Sequence, residues 1–203
     1  MKPKQLIGPA GRVLTSLRTL GPGPVKLLFY GPPGVGKSEV ARAIGLRLTH
    51  EVEIDKVNGR DCGVDQIRDW AIRCHGSSLF SSWRVFIIEE LDALSDGARI
   101  NILSFLDDLP EERAVIATSN NYEKLPERIR SRFERHEILS PTEAEIKALL
   151  LKTKGVGEST AAMLAVTCAG NVRAAMLDAD ALNRGGADTV AAYQDELLQL
   201  LGV

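Results

Sequence analysis

The sequence predicts an α/β fold: a parallel five-stranded sheet with helices on both faces, followed by a small all-helical unit. Three observations predict it. Apolar runs of strand length alternate with helix-period segments from residue 25 to about residue 139. The first of these runs leads into GPPGVGKS at residues 31–38, a match to the phosphate-cradling pattern G-x-x-x-x-G-K-[ST], which is meaningful where a buried strand turns into a helix. From residue 140 onward the strand pattern ends and only helical segments follow.

Taken in order, residues 9–20 place Val13, Leu14, Leu17 and Leu20 on one helical face, and the run Gly21, Pro22, Gly23, Pro24 stops that helix. Val25 to Tyr30 reads as the first strand and residues 38–48 as the helix after the glycine-rich loop. A short alternating strand follows at 51–57, then the turn Asn58-Gly59 and a helix with Val64, Ile67, Ala71 and Cys74 inward. The strand at 84–88 ends in Glu89 and Glu90, and a helix from about 96 to 109 turns Ala98, Ile102, Phe105 and Leu106 inward. The strand at 114–118 runs into Ser119, Asn120 and Asn121, a short helix covers 126–132, and a last strand lies near 136–139. Ser140, Pro141, Thr142 and Glu143 mark a helix start and a domain boundary. The expected domains are an α/β core at 1–139 and a helical lid at 140–203, with helices at 142–153, 157–168, 171–183 and 189–201.

Composition excludes several classes. The 203 residues are 44% hydrophobic and 26% charged, as in an ordinary soluble protein with a real core. No apolar run reaches the roughly 18 residues of a membrane span, and the N-terminus lacks the apolar block of a secretory signal, so a cytoplasmic protein without a membrane partner is expected. Three cysteines without C-x-x-C spacing and three scattered histidines (His50, His75, His136) indicate neither a disulfide framework nor a zinc site. The net charge of -2 is unevenly spread: residues 1–50 carry +7, which leaves -9 for the rest. A basic segment beside a phosphate loop suits a polyanionic ligand or nucleic acid. Equally, Arg42 and Arg47 could be solvated helix positions with acidic neighbours.

The chemistry gathers around residues 31–38. Gly31, Gly34 and Gly36 permit positive-φ turns that aim successive N–H groups inward, so the loop and the next helix's N-terminus form a nest for phosphate oxygens, with Pro32, Pro33 and Val35 completing the loop. Lys37 would supply a point charge to the β- and γ-phosphates and Ser38 a hydroxyl to Mg2+. Glu89-Glu90, at the end of a neighbouring strand, offers one carboxylate for the Mg2+ shell and one to activate water.

In order along the chain, GPPGVGKS, VFIIEELD, ATSN, RIRSRF and GNVR resemble the motif set of AAA+ ATPases, most closely the clamp-loader group: the small subunits of replication factor C and the phage clamp loaders. QLIG, LLFYGPPG and VNGRDCGVDQIRDWA carry the subgroup likeness, which covers nearly the whole chain. The resemblance implies that residues 31–38 are the Walker A loop, binding ATP, and that Glu90 is the catalytic glutamate. It implies that Glu89 stands in the metal-positioning place usually held by aspartate, and that Asn120 is sensor 1. Arg132 matches the arginine finger that reaches a neighbouring subunit's site, and Arg173 the sensor 2 of the lid. Arg128 and Arg130 are helpers or solvated charge, the second reading being favoured for Arg130. Leu6, Ile7 and Gly8, with Pro3, match the wall over the base.

The activity implied is ATP hydrolysis, weak in an isolated subunit, that drives geometry changes in a ring or arc of self or related AAA+ subunits. The partners implied are DNA and a sliding clamp or another DNA-associated protein; Arg60 and Arg99, near the N-terminal ends of helices, are the positions at which DNA contact is to be tested. Two alternatives remain: a nucleotide-binding switch with little hydrolysis, and a helicase-loader or branch-migration motor. Clamp-loader subunits continue into a helical collar; none is recognised here, which leaves either a truncated chain or a compact relative assembling through its ATPase tier.

Overall fold

The computed structural model describes residues 6–21, 23–76 and 81–185. The chain falls into two compact units, 1–139 and 140–203.

The first unit runs α1 (Gly8–Ser16), β1 (Val25–Tyr30), α2 (Lys37–Leu48), β2 (Ile54–Asn58), α3 (Val64–Arg73), β3 (Arg84–Glu89), α4 (Asp96–Asp107), β4 (Arg113–Ser119), α5 (Glu127–Arg130) and β5 (Glu134–Glu137). All strand pairs are parallel, in the order β2-β3-β4-β1-β5. The central strands are buried on both faces, and their side chains alternate between two cores as the pleat requires. Leu28, Phe86, Ile88, Val115 and Ala117 join Ile67, Trp70, Ile102, Phe105, Leu106 and Ile129 from α3, α4 and α5. Leu27, Phe29, Val85, Ile87 and Ile116 join Ala10, Val40, Ala41 and Ile44 from α1 and α2. Helices therefore cover both faces of a five-stranded sheet, as the alternation predicts.

Four boundaries differ from the sequence reading. α1 ends at Ser16 rather than near residue 20. The hydroxyls of Thr15 and Ser16 donate to the carbonyls of Gly11 and Val13, competing with the helical backbone. Arg47 from α2 donates to the carbonyls of Leu14 and Leu17, satisfying the helix end from outside. Residues 51–53 form a 3-10 turn, so β2 begins only at Ile54. α5 stops at Arg130, which puts Ser131 and Arg132 in the following turn. β5 is 134–137, not 136–139: it is an edge strand of sequence Glu-Arg-His-Glu, whose backbone pairs with Leu27 to Tyr30 while its side chains carry charge. Charge on an edge strand discourages pairing with other chains, but it removes the apolar signal that betrays a strand.

The second unit contains α6 (Glu143–Lys154), α7 (Glu158–Thr167) and a helix that we label α8, helical over 172–185. Thr142 and Glu145 form a reciprocal capping box that starts α6, and Gly155 in the left-handed conformation ends it. Ile146, Leu150, Ala161, Leu164, Ala175 and Ala179 are fully buried, and Lys154 pairs with Asp180. The expected helix at 189–201 lies outside the described residues.

Candidate functional site

The glycine-rich loop leaves β1 at the carboxyl edge of the sheet. Gly31, Gly34 and Gly36 have φ of 141°, 78° and 105°, the positive values that the sequence predicted. At Gly31 a second requirement applies: a Cβ there would lie 2.2 Å from the carbonyl oxygen of Ile138. The Ile138 N–H donates to the carbonyl of Tyr30, so the chain leaving β5 closes against the start of the loop. Val35 is buried in the core on the α2 face, whereas Pro32 and Pro33 are exposed. Lys37, only 7% exposed, folds back so that its ammonium donates to the carbonyls of Gly31 (2.8 Å) and Pro32 (2.6 Å). Ser38 follows it in the first turn of α2, whose N-terminal N–H groups open toward the loop. Leu6 and Ala10 pack against the loop at Gly36, within 3.4 Å of where a Cβ would stand. Ile7 caps α1 and Gly8 begins it; Pro3 lies outside the described residues.

The acidic side of the site is built by β3. Glu89 is its last residue, and its carboxylate accepts from Lys56 of β2 at 2.9 Å. Glu90 takes the left-handed conformation (φ 56°, ψ 53°), which is uncommon for a residue with a side chain and clusters at functional sites. Its N–H donates to Thr118 Oγ1 at 3.2 Å, and its carboxylate lies 3.5 Å from Arg60 Nε. Beneath it, the Gly59 N–H donates to the Glu89 carbonyl at 2.6 Å.

A residue to which the sequence reading gave no role organises the third strand end. Asp92 accepts from the Ser119 hydroxyl (2.7 Å), the Asn120 N–H (3.3 Å) and the Asn121 amide (3.1 Å), so one carboxylate shapes the whole turn after β4. The signal was the last letter of VFIIEELD, but its partners lie 27 to 29 residues away. Asn120 is left exposed with its backbone anchored. Because β4 lies between β3 and β1, the turn carrying Asn120 stands between the acids and the loop. Two strand spacings put β1 and β3 roughly 10 Å apart, the scale of a nucleotide's phosphate chain.

The arginines sort by partner. Arg132 donates from Nε and Nη2 to the two oxygens of Asp107 at 2.8 and 2.7 Å, and this guanidinium holds the Asp107 carboxyl below the usual carboxylate range. Arg130 is not the solvated charge that its position on a short helix suggested: it pairs with Glu123 and Glu127 and lies over the Tyr122 ring, which stacks on Tyr30. Arg128 is exposed, and its carbonyl receives Arg132 Nη1. Arg99 is engaged by Asp96 and the carbonyl of Asp92, whereas Arg60 is largely exposed apart from its approach to Glu90. In the basic N-terminal segment, Arg42 pairs with Glu51 and Arg47 caps α1, so both serve the fold. Arg173, in the second unit, is exposed in the first turn of α8, which the Asn171 side chain caps.

A strand, a positive-φ glycine loop and a helix at the carboxyl edge of a parallel sheet, with acids two strands away, define a P-loop nucleotide-binding module. The chain belongs to the ATPase family associated with various cellular activities (AAA), whose sequence profile matches residues 27–141. It is 29% identical over 140 residues to the sliding-clamp-loader large subunit of Escherichia phage RB69, covering 68% of this chain and 43% of that one. It is 26% identical over 139 residues to the probable replication factor C subunit 5 of Dictyostelium discoideum, covering 62% and 40%. The chain thus spans less than half the length of these relatives. The fold also matches the Thermotoga maritima RuvB Holliday junction branch migration motor (TM-score 0.65, 19% identity, 84% of this chain and 57% of that one). A DNA polymerase III gamma subunit-related protein from the same organism matches at TM-score 0.62 and 16% identity, over 84% and 58%. Among the described residues no helix is long and apolar enough to cross a membrane.

Proposed function

We propose that this chain is an ATP-binding and ATP-hydrolysing module of a replication-type assembly, related in its work to clamp loaders, with residues 1–139 as the ATPase core and 140–203 as a helical lid. The observation that carries this reading is the convergence at one sheet edge of the phosphate loop after β1, Asn120 after β4 and Glu89-Glu90 after β3. The loop N–H groups and Lys37 bind the phosphates, with Leu6, Ile7 and Gly8 beside the base. Glu90 takes a proton from the attacking water, and Asn120 orients that water. The residues suit Mg2+, since the Ser38 hydroxyl and the Glu89 carboxylate are the hard oxygen donors that this ion prefers. When bound, it would neutralise charge on the β- and γ-phosphate oxygens. Arg173 is assigned to the γ-phosphate by its sequence match.

Arg132 is assigned to the site of another subunit, so the isolated chain is a weak enzyme and the working unit is a ring or arc of self or related subunits. The clamp-loader relatives support DNA and a sliding clamp as partners; the setting we assign is cytoplasmic. A second reading, a nucleotide switch that scarcely hydrolyses, is favoured by the Lys56–Glu89 pair, which ties up a carboxylate needed by the metal. Glu90→Gln separates the two. On the main reading it leaves binding of a fluorescent ATP analogue intact and lowers turnover by about a hundredfold or more. A variant as active as the parent overturns the enzyme assignment.

A further inference from the structure

We propose that Asp107 is the positioning residue for Arg132, fixing its guanidinium so that the outer edge is presented to a nucleotide bound by a second copy of this chain. The proposal rests on the reading of Arg132 as a group supplied in trans.

The geometry starts with the backbone. Arg132 sits in the turn after α5 with its N–H on the carbonyl of Ile129, between the buried side chains of Ile129 and Phe133. Its Cα is therefore held by the core, and the remaining freedom lies in the long side chain, whose rotamers are costly to order. Asp107, the last residue of α4, orders them: it follows the buried Phe105 and Leu106 and takes Nε and Nη2 in a two-point grip at 2.8 and 2.7 Å. The carbonyl of Arg128 takes one proton of Nη1. A guanidinium has five N–H donors and two bidentate edges. Three donors are engaged, which leaves one N–H on Nη1 and one on Nη2, and the edge that Asp107 does not occupy is the Nη1–Nη2 edge, whose two-point geometry matches phosphate oxygens. Arg132 is 30% and Asp107 51% exposed at the side chain, so the pair stands at the surface and not in the core. An ion pair this exposed adds little to stability. Its consequence is orientation: a guanidinium already held in place loses less freedom when it meets a phosphate, and that gain appears in turnover.

Mixing two silent variants tests this. A Glu90→Gln chain retains Arg132 but does not hydrolyse at its own site; an Arg132→Ala chain keeps an intact site but lends no arginine. ATPase that recovers on mixing reports Arg132 of the first chain acting at the site of the second. Adding Asp107→Asn to the Glu90→Gln chain is expected to lower the recovered kcat about tenfold with KM for ATP unchanged, while Asp107→Glu retains most of it and the melting temperature hardly moves. The same Asp107→Asn change on the Arg132→Ala chain has no arginine to act through and leaves the mixed rate within about twofold. Failure to recover on mixing overturns the supply of Arg132 by a second copy, and the role of Asp107 with it. Recovery that ignores Asp107→Asn, rises with it, or falls equally with it on either chain overturns Asp107 as positioner while leaving the trans arginine standing.

Discussion

Gly59 lies so close to Glu90 that a Cβ on the glycine would stand 2.2 Å from the glutamate's carbonyl oxygen and 3.3 Å from that of Glu89. The turn after β2 thus supports the backbone on which the candidate catalytic carboxylate is mounted, already in a left-handed conformation. Gly59→Ala cannot be absorbed by a side-chain movement, because every close neighbour is main chain. It is expected to destabilise the fold by about 1–3 kcal/mol, measured by urea denaturation, and to lower kcat while nucleotide affinity holds. Unchanged turnover in a correctly folded variant would show that the position of Glu90 is not set from β2.

Asp92→Ala removes the acceptor that gathers Ser119, Asn120 and Asn121. The freed Asn120 and Asn121 donors are exposed and rehydrate, whereas Ser119 is fully buried and its hydroxyl is left without this acceptor, so a stability loss of about 1–3 kcal/mol is expected. The larger effect should fall on kcat, by about tenfold or more, because Asn120 loses its backbone anchor. Single-turnover hydrolysis separates this from binding; equal single-turnover rates in parent and variant would remove Asp92 from the site.

The fold was legible in the sequence wherever burial imposes a period. β3 and β4 carry continuous apolar runs and β1 one broken only by Lys26, and α3 and α4 turn the predicted Ile67, Ile102 and Phe105 inward. β5 was misplaced by two residues because an edge strand of charged side chains has backbone pairing but no apolar face. The phosphate loop was readable because backbone conformation and residue type coincide at Gly31, Gly34 and Gly36. The pairing of Arg132 with Asp107, 25 residues apart, depends on how the end of α4 meets the turn after α5, and no local pattern encodes that. Arg130 read as a solvated charge because, although Glu127 lies one helical turn before it, Tyr122 and Glu123 reach it only through the turn that precedes α5.

Cys62 makes stability depend on alkaline pH. The thiol is 1% exposed, and burial pushes its pKa from 9.0 up to about 11. Below pH 9 both folded and unfolded chains keep the proton, so the thiol contributes no pH dependence. Between 9 and about 11 the unfolded chain releases it and the folded chain does not, so stability falls by about 1.4 kcal/mol per pH unit for this thiol. Cys74, also raised by burial, adds to the same slope. Urea denaturation at intervals from pH 8 to 10.5 should show the decline, and Cys62→Ala should flatten it. A slope identical in the variant would assign the alkaline loss to other groups.

Lys56 and Glu89 compete with the metal requirement of the proposed reaction. The ammonium sits 2.9 Å from one oxygen of the carboxylate, on an edge strand where the lysine side chain is 47% exposed. A pair this accessible is worth only about 0–1 kcal/mol to the fold, so Lys56→Met should leave the melting temperature almost unchanged. Its charge, however, opposes any divalent cation approaching the same oxygen. Removing it is expected to lower, several-fold, the Mg2+ concentration at which nucleotide affinity is half-maximally enhanced, and Glu89→Gln is expected to raise it. Glu89→Asp, which draws the carboxylate back by one methylene from the lysine, should shift the dependence in the same direction as Lys56→Met. Titration of a fluorescent nucleotide at fixed Mg2+ levels reads this without reference to hydrolysis. If parent and Lys56→Met follow the same Mg2+ curve, the lysine does not restrain Glu89, and the switch reading loses the observation that favours it.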